Sequence, residues 1–281
     1  MTEAMPLTMV NVTSPGSDVA AEAAAALASA SLVFKSVNTT YSSLLQKHAR
    51  QLFAFADKYR KSYSISIPQV GEYYNSTGYG DELLWSAGWL YHATAEQPYL
   101  DFVTGKQAGQ FADWGNPSWF SWDNKLPGAQ VLISRISFFG GKDISNSDIL
   151  VQYRDSAEVV MRGLLPESPS ATSSRTENGL IWVSEWNALQ HPVASAFLAV
   201  LYSDYMNAAH HSVRWDDIYA CGSSRIRTDT VDKPNPNVAV GALAGGPSLN
   251  DTYVDARNNS MQGELTTYNS ALFVAHLLIW Y

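Results

Sequence analysis

Two acidic side chains near the end of the chain have the types and setting that could do chemistry. Asp255 stands nine residues ahead of Glu264 in the stretch Tyr253-Val-Asp255-Ala-Arg257-Asn-Asn-Ser260-Met-Gln-Gly-Glu264-Leu-Thr266-Thr-Tyr268-Asn269-Ser-Ala271. Glu264 falls where an irregular polar loop gives way to an apolar helical pattern. From such a junction a carboxyl can project into a cleft while the helix holds its backbone still. There it could serve as a general acid that protonates a leaving oxygen. The same position also suits a solvated glutamate in the first turn of a helix, favoured by the helix dipole. Asp255 follows the turn signals Gly245-Gly-Pro-Ser and Asn250-Asp-Thr, and by itself reads equally as a loop acid.

Other constellations are weaker. Asp81 and Glu82 look like an acid/base couple, but neighbours on a helix point in different directions. Asp81 as N-cap, with Glu82 compensating the dipole, is the plainer expectation. The doublet His210-His211 lacks ligand partners at metal spacing and suits a helix C-terminus. Asp216-Asp217 belongs to a polar turn. Trp85, Trp122 and Trp186 could stack on sugar rings, although such residues usually build core. There is no Gly-X-Ser-X-Gly nucleophile element and no phosphate-cradling glycine loop. Neither a cofactor site nor a metal ligand set is legible.

The elements that must position these groups are helical. An alanine-rich segment, Asp18 to Phe34, reads as a first helix. In the next, Tyr41, Leu44, Leu45, His48, Leu52, Phe55, Ala56 and Tyr59 recur at three- and four-residue steps. Further helices are expected over Asp81–Tyr91, Pro98–Asp113, Gly128–Phe139 and Asn146–Leu165. Another opens at Pro192, and a last one carries Tyr268, Ala271 and Leu272. The loop from Trp114 to Lys125 holds three tryptophans, so it either folds onto the core or forms a binding surface. Gly179–Val183 is a short extended run. No strand alternation of useful length and no short repeat are found, which points to an all-α assembly of paired helices.

Composition narrows the partners. The chain has 281 residues, 46% hydrophobic and 16% charged, so it can bury one large core. A net charge of -8 argues against nucleic acid or an anionic membrane and is compatible with a neutral substrate. A lone cysteine, Cys221, excludes an internal disulfide. No run reaches the roughly 20 apolar residues of a membrane span, and the first residues lack the basic flank of a signal peptide. Sequons at Asn11, Asn38, Asn75, Asn250 and Asn258 nevertheless hint at a secreted ancestor.

Several blocks, in order, resemble the plant-type endoglucanases of glycoside hydrolase family 9. They are Pro15 to Leu27, Phe55-Ala-Asp57-Lys-Tyr59-Arg60, Tyr79-Gly-Asp81-Glu82-Leu-Leu-Trp85, Phe120-Ser-Trp122-Asp123-Asn124-Lys125, Asn235 to Pro247, and the Asp255–Ala271 stretch, which is similar to the family's C-terminal signature. The resemblance implies a barrel of paired helices, an inverting mechanism, β-1,4-glucan as substrate and an extracellular or cell-wall location. Glu264 then matches the general acid and Asp255 its supporting acid. Trp85, Trp186 and Tyr268 become candidates for lining a glucan cleft. Members often hold a stabilising calcium ion.

The sequence departs from the family at three places. The family's base lies in an Asp-Ala-Gly-Asp element upstream of the alanine-rich helix, and this sequence contains none. A Gly-(Asn/Asp)-Asn-Pro element with a later His-His-Arg is missing between Gly222 and Asn235. Ser260, Leu265 and Ser270 replace a usual aromatic, Pro and Asn. The resulting expectations are a single catalytic domain over residues 1–281, a partial (α/α)6 barrel (an incomplete helical toroid), and a polypeptide with little or no turnover. The alternative is a glucan-binding relic without catalysis, or a truncated gene product.

Overall fold

The computed structural model describes residues 7–116, 118–140, 144, 147–171, 174–209, 227–228, 242–256 and 258–272. The chain divides into two compact units. One comprises residues 1–114, 123–133 and 148–150; the other comprises residues 115–122, 134–147 and 151–281.

The first unit is built on α1 (Ser17–Phe34), α2 (Thr39–Tyr59) and α5 (Gly80–Thr94), with the short helices α3 (Tyr63–Ser66), α4 (Pro68–Gly71), α6 (Gln97–Thr104) and α7 (Lys106–Phe111) around them. Alanine decides how they pack. Ala20, Ala21, Ala24, Ala25 and Ala28 bury one side of α1 against α2 and α5. Methyl-sized side chains let helix backbones approach closely. The buried stripe of α2 mixes sizes: Ser42, Leu45, Ala49, Phe53 and Ala56, with Phe53 edge-on against Tyr99 and Phe102 of α6. This differs by about one residue from the stripe expected from periodicity. Tyr41, Leu44 and His48 are exposed, and only Leu45 and Ala56 belong to both sets. Ser42 of this stripe meets α1 directly, its hydroxyl donating to Ser31 O at 2.7 Å. By length and composition α1 would suffice to cross a membrane, yet here its alanine side is core.

Side-chain oxygens fix the ends of these helices. Asn38 caps α2 by accepting from the Tyr41 amide at 3.0 Å. The buried Asp18 carboxylate accepts the Tyr63 amide at 3.1 Å, tying the start of α1 to the chain that leaves α2. At α5 the N-cap position belongs to Tyr79, not to Asp81. Asp81 instead accepts the Lys125 amide at 2.6 Å, which draws its carboxyl inward and away from the helix end. The single helix expected over Pro98–Asp113 is broken in two at Gly105, which has extended backbone.

The second unit contains most of α9 (Asp148–Leu164), the end of α8 (Leu126–Phe139) and all of α10 (Gln190–Ala208). Tyr202 of α10 packs edge-on against Phe138 of α8, with centroids 5.9 Å apart. Two minimal ladders occur among the described residues. β1 (Ser174–Arg175) pairs antiparallel with β2 (Ile181–Trp182), and β3 (Arg227–Thr228) pairs parallel with β4 (Thr252–Tyr253). Last come α11 (Ser260–Gly263) and α12, residues 267–272. His210-His211, Asp216-Asp217 and Cys221 lie outside the described residues.

Asp81 and Glu82 meet although they are sequence neighbours. Glu82 is 3% exposed and its Oε2 has no hydrogen-bond partner. Burial first, then the Asp81 charge and a hydrogen bond with the Asp81 side chain, push the Glu82 pKa up to about 10. Nearby, Lys125 Nζ pairs with Glu22 at 3.0 Å, and burial raises the Glu22 pKa as well. Below the ordinary carboxyl range, folded and unfolded chains both hold the Glu82 proton. As pH rises the unfolded chain loses it first, so stability falls until about pH 10. Glu82→Gln is therefore expected to melt higher than the parent at pH 9 in chelator-containing buffer, by at least about 2–4 °C. That gain should vanish near pH 4. Parallel melting profiles of the two proteins across this range would contradict the assignment.

Candidate functional site

Glu264 lies between two helical pieces rather than in a helix's first turn. It follows α11, whose last turn it closes by donating its amide to Ser260 O at 3.0 Å, and its own backbone is extended. Two more residues pass before α12 begins. A carboxyl on an extended residue between two helical ends is not swept along either helix surface, so it can project across the chain. Its Oε2 accepts a hydrogen bond from the Trp186 indole Nε1 at 3.3 Å. Trp186 is 49% exposed, so one edge of the indole holds the carboxylate while much of its surface meets solvent. Met261 and Leu265 also show exposed apolar surface.

The segment bearing these groups is held by close backbone contacts. Gly246 has φ +116°, and a Cβ there would stand 2.6 Å from Leu189 Cγ. A Cβ on Gly245 would lie 2.7 Å from Met261 O. Without side chains these two glycines slip between the start of α10 and α11. Gly245 O accepts the Leu189 amide at 2.8 Å, and the Gly246 amide donates to Gln262 O at 3.1 Å.

Gln262 then organises the loop that carries Asp255. Its Oε1 accepts the Val254 amide at 3.0 Å and Asn259 Nδ2 at 2.7 Å. Its Nε2 donates to Ser248 Oγ at 2.8 Å and Thr252 O at 2.9 Å. Asp255, half-buried, leaves the loop one residue after Val254. Burial, followed by the Asp255 charge, raises the Tyr253 pKa. Burial and the Glu264 charge likewise raise that of Tyr268, against the lowering effect of hydrogen bonds with Thr266 and Asn187. Each acid is thus felt by a nearby phenol.

Glu264, Trp186 and Tyr268 fall in one compact unit, with Asp255 on the loop preceding α11. Trp122 belongs to the same unit and is half-buried, in a loop whose neighbour Phe120 is buried. Trp85 belongs to the other unit, where its ring meets Trp89 edge-on at 5.6 Å. Residues that sequence reasoning passed over include Asn187, Gln262 and Asn269, all buried. The Gly-Gly turn signal was the one visible trace of this architecture. Among the described residues no three His, Cys, Asp or Glu side chains gather as ligands of one metal ion. Among the described residues the calcium that the resemblance implies finds an orphaned oxygen in Glu82 Oε2 but no such side-chain cluster, so no step is assigned to it.

Comparisons with known proteins give the family. A profile described as Glycosyl hydrolase family 9 matches residues 1–222 and 206–277. Endoglucanase 2 of Arabidopsis thaliana is 52% identical over an alignment of 329 residues, covering 99% of this chain and 64% of that protein. The chain therefore spans about two thirds of that relative's length. Among solved structures, an endoglucanase from the termite Nasutitermes takasagoensis superposes with TM-score 0.77 at 30% identity, covering 98% of this chain and 70% of the other. The endoglucanase CelQ from Clostridium thermocellum, solved with cellotriose, superposes with TM-score 0.70 at 27% identity, covering 94% of this chain and 48% of the other. These structural neighbours are (α/α)6-barrel endoglucanases, which fits the all-α class expected from the sequence. On the family profile, which matches most of its length, the chain belongs to glycosyl hydrolase family 9.

Proposed function

We propose that this chain carries the proton-donating half of an inverting endo-β-1,4-glucanase acting on internal bonds of cellulose-like glucans. The single observation that carries the reading is the hydrogen bond from the exposed Trp186 indole to the Glu264 carboxyl. A sugar ring lying on that indole would bring its glycosidic oxygen beside the carboxyl. The relatives named as endoglucanases and the cellotriose held by CelQ support the same substrate class. Asp255 acts as the supporting acid, and Tyr268 and Trp122 as further glucan-lining side chains. Residues 1–281 are assigned to one catalytic domain.

Inversion needs a second carboxylate about 6.5–9.5 Å from the first, to activate water on the opposite face of the sugar. The family's Asp-Ala-Gly-Asp element, which supplies it, is missing from this sequence. The 281-residue polypeptide by itself is accordingly proposed to turn glucan over little. An extracellular or cell-wall setting is supported by the five sequon asparagines, Asn11, Asn38, Asn75, Asn250 and Asn258, all of which are exposed.

Two measurements test these statements. Reducing-end release from carboxymethylcellulose is expected to fall at least about 10²-fold below that of a complete relative. Robust release that disappears in Glu264→Gln would show a working acid/base pair and refute the low-turnover proposal. Binding of cellotetraose, followed by calorimetry, is expected to weaken roughly three- to tenfold in Trp186→Ala. Unchanged affinity there, with loss in Trp122→Ala instead, would move the glucan surface to the aromatic loop.

A further inference from the structure

Asn187, next to Trp186, has no part in the chemistry just described, yet its bonds reach both sides of Glu264. It is fully buried and adopts φ +52°, a left-handed conformation that Asn tolerates better than most residues. Its backbone amide donates to Met261 O at 2.9 Å, within α11 just before Glu264. Its Nδ2 donates to Tyr268 Oη at 2.5 Å, and its Oδ1 accepts Asn269 Nδ2 at 2.6 Å, both on α12 just after Glu264. Trp186, the residue before it, bonds Glu264 itself. Two consecutive residues therefore grip the acid, the turn that precedes it and the helix that follows it.

We propose that Asn187 is a positioning residue for Glu264, setting where the Trp186 indole meets the carboxyl by locking α11 and α12 to one dipeptide. This rests on the reading of Glu264 as the proton donor. A side chain whose donor and acceptor are both engaged inside the fold cannot rotate without breaking a buried hydrogen bond, and the left-handed backbone fixes the direction in which Trp186 leaves the chain. A bulk-packing role would need neither the amide nor the positive φ.

Incorporation of 5-fluorotryptophan tests the proposal in the full chain by fluorine NMR. The Trp186 resonance is the one lost in Trp186→Phe. In the parent it should shift on Glu264→Gln, because the indole donates to that carboxyl. In Asn187→Gly, which keeps the left-handed backbone but removes the amide, Glu264→Gln should no longer move it. Asn187→Asp, able to accept from both Tyr268 and Asn269, should restore the response. A Trp186 resonance that still responds fully in folded Asn187→Gly overturns the proposal. If Asn187→Gly does not fold, Tyr268→Phe decides: it removes one partner of the amide, so a reduced response supports positioning and an undiminished one overturns it. The readout is taken without glucan, so its failure is distinct from a failure of glucan binding, which the cellotetraose titration decides.

Discussion

The candidate site depends on a place where the backbone has no room for side chains. Gly245 and Gly246 run between Leu189 at the start of α10 and Met261–Gln262 in α11, with a hydrogen bond to each side. Any Cβ at either position meets a neighbouring atom within 3 Å. This contact sets the distance between the element that offers Trp186 and the element that presents Glu264. Gln262, Asn187 and Asn269 add buried amide bonds around it, so the carboxyl is placed by groups that cannot easily relax independently.

The first unit faces a different physical problem. Carboxyls of Asp18, Glu22, Glu82 and Asp123 are partly withdrawn from water, the last three near Lys125, and Asp81 stands beside Glu82. Backbone amides of Tyr63, Lys125 and Thr77 satisfy three of the five. Glu82 is left to hold its proton. Burial thus raises the pKa of Asp18, Glu22, Glu82 and Asp123, while hydrogen bonds at Asp18 and Asp123 and the Lys125 charge at Glu22 pull the other way.

The parts of the molecule that were legible in the sequence are those governed by local pattern. The alanines of α1 announce their element, because helix propensity acts over a few residues. The face of α2 was misread by about one residue, since the choice between Leu44 and Leu45 belongs to the partner helix rather than to α2. Glu264 and Trp186 were recognisable as candidates, but their contact joins positions 78 residues apart. Asn187 and Gln262 gave no signal at all. An isolated polar residue in an apolar run looks the same whether it ends in water or in a buried network, and Asp81 shows the converse error: a residue suited to a helix cap was claimed by a more distant amide.

The alanine side of α1 has a consequence of its own for how this chain tolerates genetic drift. The α1 side of this interface, built of alanines, has little to lose by erosion, since trimming Ala24 to Gly would cost about 1 kcal/mol of helix propensity and one buried methyl. It has no slack for growth, because one added branch would wedge α1 from α2 and α5 along their length. Where large side chains fail by hollowing out, the alanine side of α1 is built to fail by swelling.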